Sequence, residues 1–235
     1  GEANEIQQEI HDGLVNLGLG SLLIPEQYGG LGLDLLFATA VSQSLGEGLG
    51  PIPFAGSYIM APLAIMHGGN QEQKNNYLTK MSENSMRIGV GFSEYIGARD
   101  NANISINDNK ISGRALFVID AKDASHLMLS DKNGMIGIVE SSSSGIEITE
   151  LVAVDKTRNF LEVQLKDVDI DILELTSTSK EAIDKSIDAG RIILAADSLG
   201  ASQALIDKAV EYSKERKQFN RVIGSFQAVK HMCAE

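Results

Sequence analysis

Apolar residues recur with the spacing of an α-helix through the first third of the chain. In the first such stretch they fall at every third or fourth position, and Pro25 and Gly29-Gly30 then interrupt the pattern. We therefore expect residues 1–84 to form a helical domain. Its predicted helices contain Ile6, Ile10, Leu14 and Leu17, then Leu35–Leu45, Ile59–His67 and Gln71–Met81.

Apolar and polar residues alternate between residues 86 and 170, which indicates β-strands. Asn133-Gly134 separates two apolar runs and is the strongest short hairpin signal in the chain. Asp108-Asn109 separates two other short runs in the same way, and Gly145–Leu151 and Phe160–Val168 alternate over longer stretches. These patterns predict an antiparallel β domain over residues 85–174.

The helical pattern returns from about Leu175, so residues 175–235 are predicted to be helical. The chain stops at Glu235, inside a second predicted helix of this zone. The order helix, strand, helix matches no βαβ unit, and the sequence has neither a G-x-G-x-x-G motif nor a P-loop. The fold class is therefore predicted to be α+β with three domains. The residues expected on one buried face of the long helix are Ile192, Ala195, Ala196, Leu199, Ile206, Ala209 and Val210.

Composition narrows the possible partners. The 235 residues carry a net charge of −12, which argues against a nucleic-acid-binding surface because phosphates require a positive field. Basic residues cluster at 214–221, so a local anion site stays possible. We expect no metal site, because the four histidines fall on separate predicted elements without ligand spacing.

The single cysteine, Cys233, provides no disulfide framework and suits a reducing compartment. No apolar run approaches the roughly 20 residues that a membrane-spanning helix needs. The polar, acidic start of the sequence is unlike a signal peptide. These features predict a protein without a membrane span that is cytoplasmic, or that reaches another reducing compartment after import.

Four segments, in one order along the chain, resemble the acyl-CoA dehydrogenase family. Leu23–Gly32 is similar to the family's IPEEYGGLG turn, and Gln71–Leu78 to the helix before its β domain. Phe92-Ser93-Glu94 stands where the family has T-E-P-G-A-G-S-D, and Glu215–Gln227 resembles R-x-Q-F-G-x-P-I-G-x-F-Q. The resemblance implies a helical domain, a central barrel-like β domain and a C-terminal four-helix bundle. Residues 175–235 would be the first part of that bundle, with the remaining helices expected beyond Glu235.

The resemblance also implies a reaction, the FAD-dependent α,β-dehydrogenation of an acyl-CoA thioester in fatty acid or steroid side-chain metabolism. In that chemistry a glutamate takes the α-proton and the flavin takes the β-hydride. An electron-transfer flavoprotein or a similar acceptor would then reoxidise the flavin. Leu49–Phe54 is similar to relatives that act on bulky side-chain thioesters.

The resemblance assigns three residues to the flavin that the chain itself would hold. Ser93 matches a threonine that faces the flavin, and Phe117 matches a tryptophan that covers the isoalloxazine. Ile119 matches the threonine that hydrogen-bonds flavin N5, and an isoleucine side chain cannot donate such a bond. We therefore expect that the site for the chain's own flavin has diverged from the family pattern.

On the substrate side, Arg99 stands where a serine usually touches substrate, and Asp188 and Arg191 match positions that contact coenzyme A. Arg191 is expected in the first turn of a buried helix, where it would need an anionic partner. Some family members carry the catalytic base directly before this arginine, but this chain has Gly190 there. The base of most other members would lie beyond Glu235.

Arg216, Gln218 and Gln227 match family residues that reach the flavin of a neighbouring subunit. An arginine fork suits a diphosphate because it forms two parallel charged hydrogen bonds. These residues therefore imply a homo- or hetero-oligomer that assembles through the C-terminal bundle. The alternative is a solvated cluster of charges at a helix C-terminus. Phe219 is expected to be a packing anchor in either case.

Two functions remain open at this stage. The first is an FAD-dependent acyl-CoA dehydrogenase whose base lies in the downstream part of the bundle. The second is a flavin-poor partner subunit of a heteromeric acyl-CoA dehydrogenase, which completes the partner's FAD site without its own catalysis. A flavin oxidase or monooxygenase on the same fold is a third class, for which the sequence gives no positive sign.

Overall fold

The computed structural model describes residues 2–97, 102–155, 157–174 and 179–234, without the side chains of residues 2–8 and 179. Helices α1 to α7 are Glu2–Asn16, Leu35–Glu47, Ala61–Gly68, Gln71–Ser82, Ser93–Ile96, Ser179–Glu215 and Gln227–Ala234. A π-helix, Phe54–Met60, leads directly into α3, and short 3₁₀ turns lie at Leu19–Ser21, Glu26–Tyr28 and Ile223–Ser225.

Polar caps fix the starts of two of the predicted helices. The Asp34 side chain accepts a hydrogen bond from the backbone N–H of Phe37 at the start of α2. Asn70 and Gln73 form a reciprocal capping box at the start of α4. Such caps satisfy backbone donors that the first helical turn leaves free. The helices predicted at 35–45 and 71–81 are confirmed to within two residues.

The β domain is one eight-stranded sheet. Strands β1 to β8 are Ile88–Gly91, Ser105–Asn107, Lys110–Ile119, His126–Ser130, Ile136–Glu140, Ile146–Leu151, Phe160–Asp169 and Asp171–Ile172. Their order is β6-β7-β3-β1-β4-β5-β8, with β2 paired to β3. Both predicted hairpins, β2-β3 and β4-β5, are confirmed as antiparallel pairs. Asp108 and Asn109 both have positive φ, as a two-residue hairpin turn requires.

The sheet differs from the sequence prediction in two respects. Strand β1 was not predicted, and it pairs in parallel with β4 in an otherwise antiparallel sheet. The strand order is also open, with β6 and β8 at its two ends. Residues of β3, β4, β5 and β7 nevertheless share one buried apolar cluster, so the sheet curls around a core of its own. The opposite face of the sheet packs on α3, α4 and α6.

The buried face of α6 is not the face that the sequence predicted. Ile192, Leu199 and Ile206 are 45%, 59% and 51% exposed, and of the predicted set only Ala196 is buried. Apolar residues of α6 lie on most sides of the helix, so their periodicity alone could not identify the side that is buried. The positions that are buried share small or β-branched side chains and are Ala182, Ile183, Ser186, Ile187, Ala189, Gly190, Ile193, Ala196, Gly200 and Ser213.

Two glycines allow α2 and α6 to approach at backbone distance. A Cβ atom on Gly200 would overlap the carbonyl oxygen of Gln43, and a Cβ atom on Gly46 would overlap that of Asp197. Between them, the Ser42 hydroxyl donates a 2.7 Å hydrogen bond to the carbonyl oxygen of Ile193. This contact fixes α6, and with it the candidate substrate-side residues, on the helical domain.

We predict that Gly200→Ala destabilises the protein, because the new methyl group forces α2 and α6 apart. The expected loss is about 1–3 kcal/mol in the free energy of unfolding, measured by urea denaturation. Ser198→Ala is the control, since Ser198 is exposed and its hydroxyl bonds only within its own helix. It should change stability by less than about 0.5 kcal/mol. Equal effects of the two substitutions would contradict the glycine contact.

Candidate functional site

The structure brings together the three residues that the resemblance assigned to the chain's own flavin. Ser93 follows the end of β1 and is 6% exposed, while Phe117 and Ile119 lie in the second half of β3. Ile119 pairs with Val90 of β1. The Ser93 hydroxyl oxygen accepts a 3.3 Å hydrogen bond from the backbone N–H of Leu116, beside Phe117. The roles of these residues in flavin binding remain predictions.

Phe117 lies in a β-bulge. Ala115 pairs with Val163 and Val118 with Leu161, so three steps along β3 match only two along β7. The extra residue of the bulge is accommodated at Phe117, whose φ is 53°. A bulge re-aims a side chain within a strand, and positive φ is costly for an aromatic residue, so the surrounding sheet must hold this geometry.

Ile119 is half-buried and packs against the core between the sheet and the helices. Its Cγ1 atom lies 2.9 Å from the place that a Cβ atom on Gly56 would occupy. The side chain therefore contacts the π-helix of the N-terminal domain. Its side chain provides no donor for flavin N5, so at this position the chain does not fit the isoalloxazine in the way that the family threonine would.

A tether that the sequence analysis missed joins the Ser93 segment to α6. Helix α5 begins at Ser93 and ends at Ile96, and Gly97 caps it in a left-handed conformation. The Tyr95 hydroxyl donates a 2.7 Å hydrogen bond to the carboxylate of Asp184 on α6, and this bond raises the pKa of Tyr95. Tyr95 stands where the family motif has proline, and this departure was the only sequence signal for the tether.

Asp120 directly follows Ile119 and joins the sheet to the helical domain. Its carboxylate accepts hydrogen bonds from the backbone N–H groups of Gly56 at 2.6 Å and Ser57 at 3.3 Å, near the start of the π-helix. Burial raises the pKa of Asp120, and the hydrogen bond from Gly56 opposes this shift in part. Sequence reasoning missed this residue because its partners are distant in the chain.

We predict that Asp120→Asn changes how stability depends on pH. Because the folded pKa of Asp120 is raised, the folded state binds this proton more tightly than the unfolded state. Its contribution to stability is present at low pH and is lost as pH rises towards the folded pKa. Urea denaturation at several pH values above 4 should show this loss in the wild type and not in the variant.

Asp123→Asn is the matched control for this measurement. Asp123 is exposed and, like Asp120, has positive φ, so an asparagine fits both backbones. The control should follow the wild-type pH dependence. If Asp120→Asn also followed it, the argument from burial of the Asp120 carboxyl would fail.

The substrate-side candidates lie on α6. Asp188 and Arg191 form a 2.9 Å ion pair with 66% and 67% of their side chains exposed. Arg191 is well inside α6, which begins at Ser179, so the expectation of a buried first-turn arginine was wrong. Its anionic partner is Asp188 on the same helix face. Arg99 lies outside the described residues.

Gly190, at the alternative position of the base, is buried. A Cβ atom there would lie 2.5 Å from the sulfur of Met60, the last residue of the π-helix. Distances this short do not occur between real carbon and sulfur atoms that are not bonded. A larger residue at position 190 would therefore require the Met60 side chain to move.

The candidates for a neighbour's flavin lie at the other end of α6. Strands β9 and β10, Lys217–Gln218 and Arg221–Val222, form a small hairpin that follows α6. The backbone N–H of Ile223 donates to the carbonyl oxygen of Arg216, which closes the base of this hairpin at 2.8 Å. Arg216, Gln218 and Gln227 are all exposed. This group, unlike the buried sheet-side group, is exposed to solvent, and its role in binding a flavin diphosphate remains a prediction.

Phe219 does not pack as expected. It is 87% exposed at the tip of the hairpin, where it and Asn220 supply the two positive φ angles of the turn. The Phe219 and Phe226 rings are nearly perpendicular, with their centroids 6.2 Å apart. Arg221 covers the same Phe226 ring, with its guanidinium carbon 4.0 Å from the centroid. Phe226 is thus the residue around which the segment packs.

Two absences hold for the described residues. Within them, no helix has the length and hydropathy needed to cross a bilayer. The same part of the chain contains no group of three or more His, Cys, Asp or Glu residues placed to hold a metal ion.

Comparison with known families decides the identity of this fold. Residues 1–85 match the family model "Acyl-CoA dehydrogenase, N-terminal domain" and residues 181–235 match "Acyl-CoA dehydrogenase, C-terminal domain". Together the two models cover more than half of the chain. The chain belongs to the acyl-CoA dehydrogenase family. The division into domains at 84/85 and 174/175 stays a prediction.

Individual acyl-CoA dehydrogenases and related proteins are similar over nearly the whole chain. YngJ of Bacillus subtilis, a probable acyl-CoA dehydrogenase, is 26% identical over 100% of the chain and 67% of its own length. CarC of Acetobacterium woodii, a subunit of a caffeyl-CoA reductase-Etf complex, is 25% identical with the same coverage. The structure of the steroid ACAD Tcur3481-Tcur3483 has a TM-score of 0.81 at 26% identity, over 97% of this chain and 63% of its own. The chain thus spans about two thirds of the length of these relatives.

Proposed function

We propose that the protein acts in an FAD-dependent acyl-CoA dehydrogenase, which removes hydrogens from the α and β carbons of an acyl-CoA thioester. Family membership supports the reaction class. The observation that carries the proposal for this chain is the exposed group Arg216, Gln218 and Gln227, which sits apart from the sheet-side residues. An outward-facing arginine and two amides are what a neighbouring chain's flavin diphosphate requires. The protein is therefore proposed to work as a homo- or hetero-oligomer.

When bound, FAD would supply the hydride acceptor and the oxidising equivalents of the reaction. Arg216 would pair with its diphosphate, and Gln218 and Gln227 would donate amide hydrogen bonds beside it. On the substrate side, Asp188 and Arg191 lie exposed on α6 and can contact the coenzyme A portion. Arg99 stays a further candidate for substrate contact.

A second candidate function is the flavin-poor partner subunit. Two observations favour it, since Ile119 packs into the core without an N5 donor and Gly190 is closed by Met60. The first concerns the flavin that the chain itself would hold, and the second concerns the chain's own catalytic base. The exposed hairpin would still serve a partner's flavin.

The electron acceptor and the location remain further proposals. CarC belongs to a complex with an electron-transferring flavoprotein, which supports the same type of acceptor here. The similarity to a steroid ACAD supports a bulky acyl group as substrate. A cytoplasmic location, expected from the single cysteine, stays a prediction.

We predict that Arg216→Ala weakens FAD retention in the assembled protein. Loss of one charge-assisted interaction should cost roughly 1.5–3 kcal/mol, or about a ten- to hundredfold loss of affinity. The flavin absorbance per chain after gel filtration measures this FAD retention. Lys208→Ala is the control, because it removes the same charge from an exposed site on α6 outside the hairpin. Unchanged flavin content in Arg216→Ala would instead support the alternative that Arg216 is a solvated surface charge.

A second measurement separates the two candidate functions. The protein produced alone is expected to hold well below one FAD per chain, because the sheet-side pocket lacks the N5 donor. Co-production with a partner that carries intact T-E-P-G-A-G-S and W-I-T motifs should give about one FAD per pair. One tightly bound FAD per chain in the protein alone, reduced on addition of acyl-CoA, would exclude the flavin-poor subunit and leave the ordinary dehydrogenase.

A further inference from the structure

A polar cavity lies between α1, the π-helix and the segment that leads into β1, and we call it the α1 cavity. Its volume is about 230 Å³. One water molecule occupies only roughly 30 Å³ of the liquid, so the cavity has room for a small organic molecule. Among the described residues, none of those assigned above to a flavin or to coenzyme A lines it. Its polar lining includes His11, Asp12, Tyr58 and Arg87.

Arg87 gives the α1 cavity a positive charge. It is half-buried and directly precedes β1, and its Nη2 atom donates to the carbonyl oxygen of Lys122. Its Nε atom is buried and has no hydrogen-bond partner among the described residues. Within the same residues Arg87 forms no salt bridge. A buried donor without an acceptor costs free energy, so an anion that accepts from Arg87 would be stabilised here.

A buried carboxyl group, Asp120, interacts with Arg87 without pairing with it. The Asp120 carboxylate accepts its hydrogen bonds from the backbone N–H groups of Gly56 and Ser57. Burial raises the pKa of Asp120, and of the groups that oppose this shift Arg87 contributes least. The interaction between the two side chains is therefore weak, and the guanidinium stays available to another anion.

The Tyr58 hydroxyl is a second polar group in the lining of the α1 cavity. Burial raises the pKa of Tyr58, so the hydroxyl keeps its proton and can donate it in a hydrogen bond. The His11 Nε2 atom lies 3.1 Å from the Tyr58 oxygen, and the Nδ1 atom lies 3.3 Å from Oδ1 of Asp12. A protonated His11 donates from both nitrogens, which leaves the Tyr58 O–H group free to donate to a ligand.

The remaining lining restricts the kind of anion that fits. Val15, Met81 and Met86 are apolar, and both methionines are buried, so the ligand can have a hydrocarbon part. Asp12 lines the same cavity with 59% of its side chain exposed. Its negative charge would repel a second negative charge on the ligand. The lining therefore favours a single charge joined to an apolar group.

We propose that the α1 cavity binds a small organic monocarboxylate. The carboxylate accepts hydrogen bonds from the guanidinium of Arg87 and from the hydroxyl of Tyr58, and the hydrocarbon part contacts Met81 and Met86. This site does not depend on the proposed function, because the flavin and coenzyme A groups take no part in it. Failure of the flavin measurements would leave it unaffected.

Isothermal titration calorimetry of the full-length protein with benzoate tests the site. A ligand of this size should bind with a Kd of about 0.1–5 mM. Benzyl alcohol has the same ring without the charge and should bind at least about tenfold more weakly. Inorganic phosphate should also bind at least about tenfold more weakly, because it has no apolar part and carries more charge. Equal affinity for either compound, or no benzoate binding at millimolar concentrations, overturns the proposal.

Variants of the two donors locate the binding. Arg87→Gln should weaken benzoate binding at least about tenfold, and Tyr58→Phe about two- to tenfold. Lys122→Gln is the control for charge, because Lys122 is exposed and does not line the cavity. Tyr28→Phe is the control for the hydroxyl, because Tyr28 is equally buried and lies outside the cavity. Both controls should bind benzoate within about twofold of the wild type. If Arg87→Gln does not fold, Arg87→Lys and Tyr58→Phe still test the two contacts.

Arg191→Gln distinguishes the α1 cavity from the substrate-side group on α6. Unchanged benzoate binding in this variant, together with the loss in Arg87→Gln, supports the cavity. Loss of binding in Arg191→Gln but not in Arg87→Gln would place benzoate at the candidate coenzyme A contacts and overturn the proposal. The calorimetric measurement needs neither flavin nor acyl-CoA, so it reports on this site alone.

Discussion

The structure depends on α6 lying within backbone distance of the helical domain. This approach is possible because the residues in the contact have small side chains or none, as Gly46 and Gly200 show most directly. A hydrogen bond from Ser42 to a carbonyl of α6 strengthens the same contact. One consequence is that α6 has a fixed rotation about its axis. That rotation decides which of its residues face the core, which face solvent and which face the candidate substrate site.

The π-helix at Phe54–Met60 connects this helical contact with the sheet. Two backbone N–H groups near the start of the π-helix donate hydrogen bonds to the carboxylate of Asp120, which follows β3. At the other end of the π-helix, the hydroxyl of Ser186 on α6 donates to the carbonyl oxygen of Met60. Three domains thus meet at one seven-residue segment. The same segment contacts Ile119 and Gly190, two positions at which the chain differs from the family pattern.

The candidate site therefore consists of two groups with different physical character. The sheet-side group is buried, already hydrogen-bonded at Ser93 and apolar at Ile119, so little polar capacity remains for a flavin ring. The hairpin group is exposed and carries its charge at Arg216, so it can pair with an anion. This distribution supports the proposal of a flavin-poor subunit that completes a neighbour's cofactor site. An ordinary dehydrogenase would need further flavin contacts from elsewhere.

Local sequence determined much of the fold. Capping residues such as Asn70, the Asn133-Gly134 turn and strict alternation of apolar residues encode structure over short distances, and the elements they predict are present. The family motif likewise singled out the segment 215–227, because that segment is continuous in the chain, but the β9-β10 hairpin within it was not predicted. Only the tertiary structure decided which side of α6 is buried, since apolar residues surround this helix and the choice depends on glycines of two helices meeting. It also decided that Phe219 is exposed and that Asp120, Tyr95 and Met60 hold the site, because each of these acts through a partner more than 60 residues away in the chain.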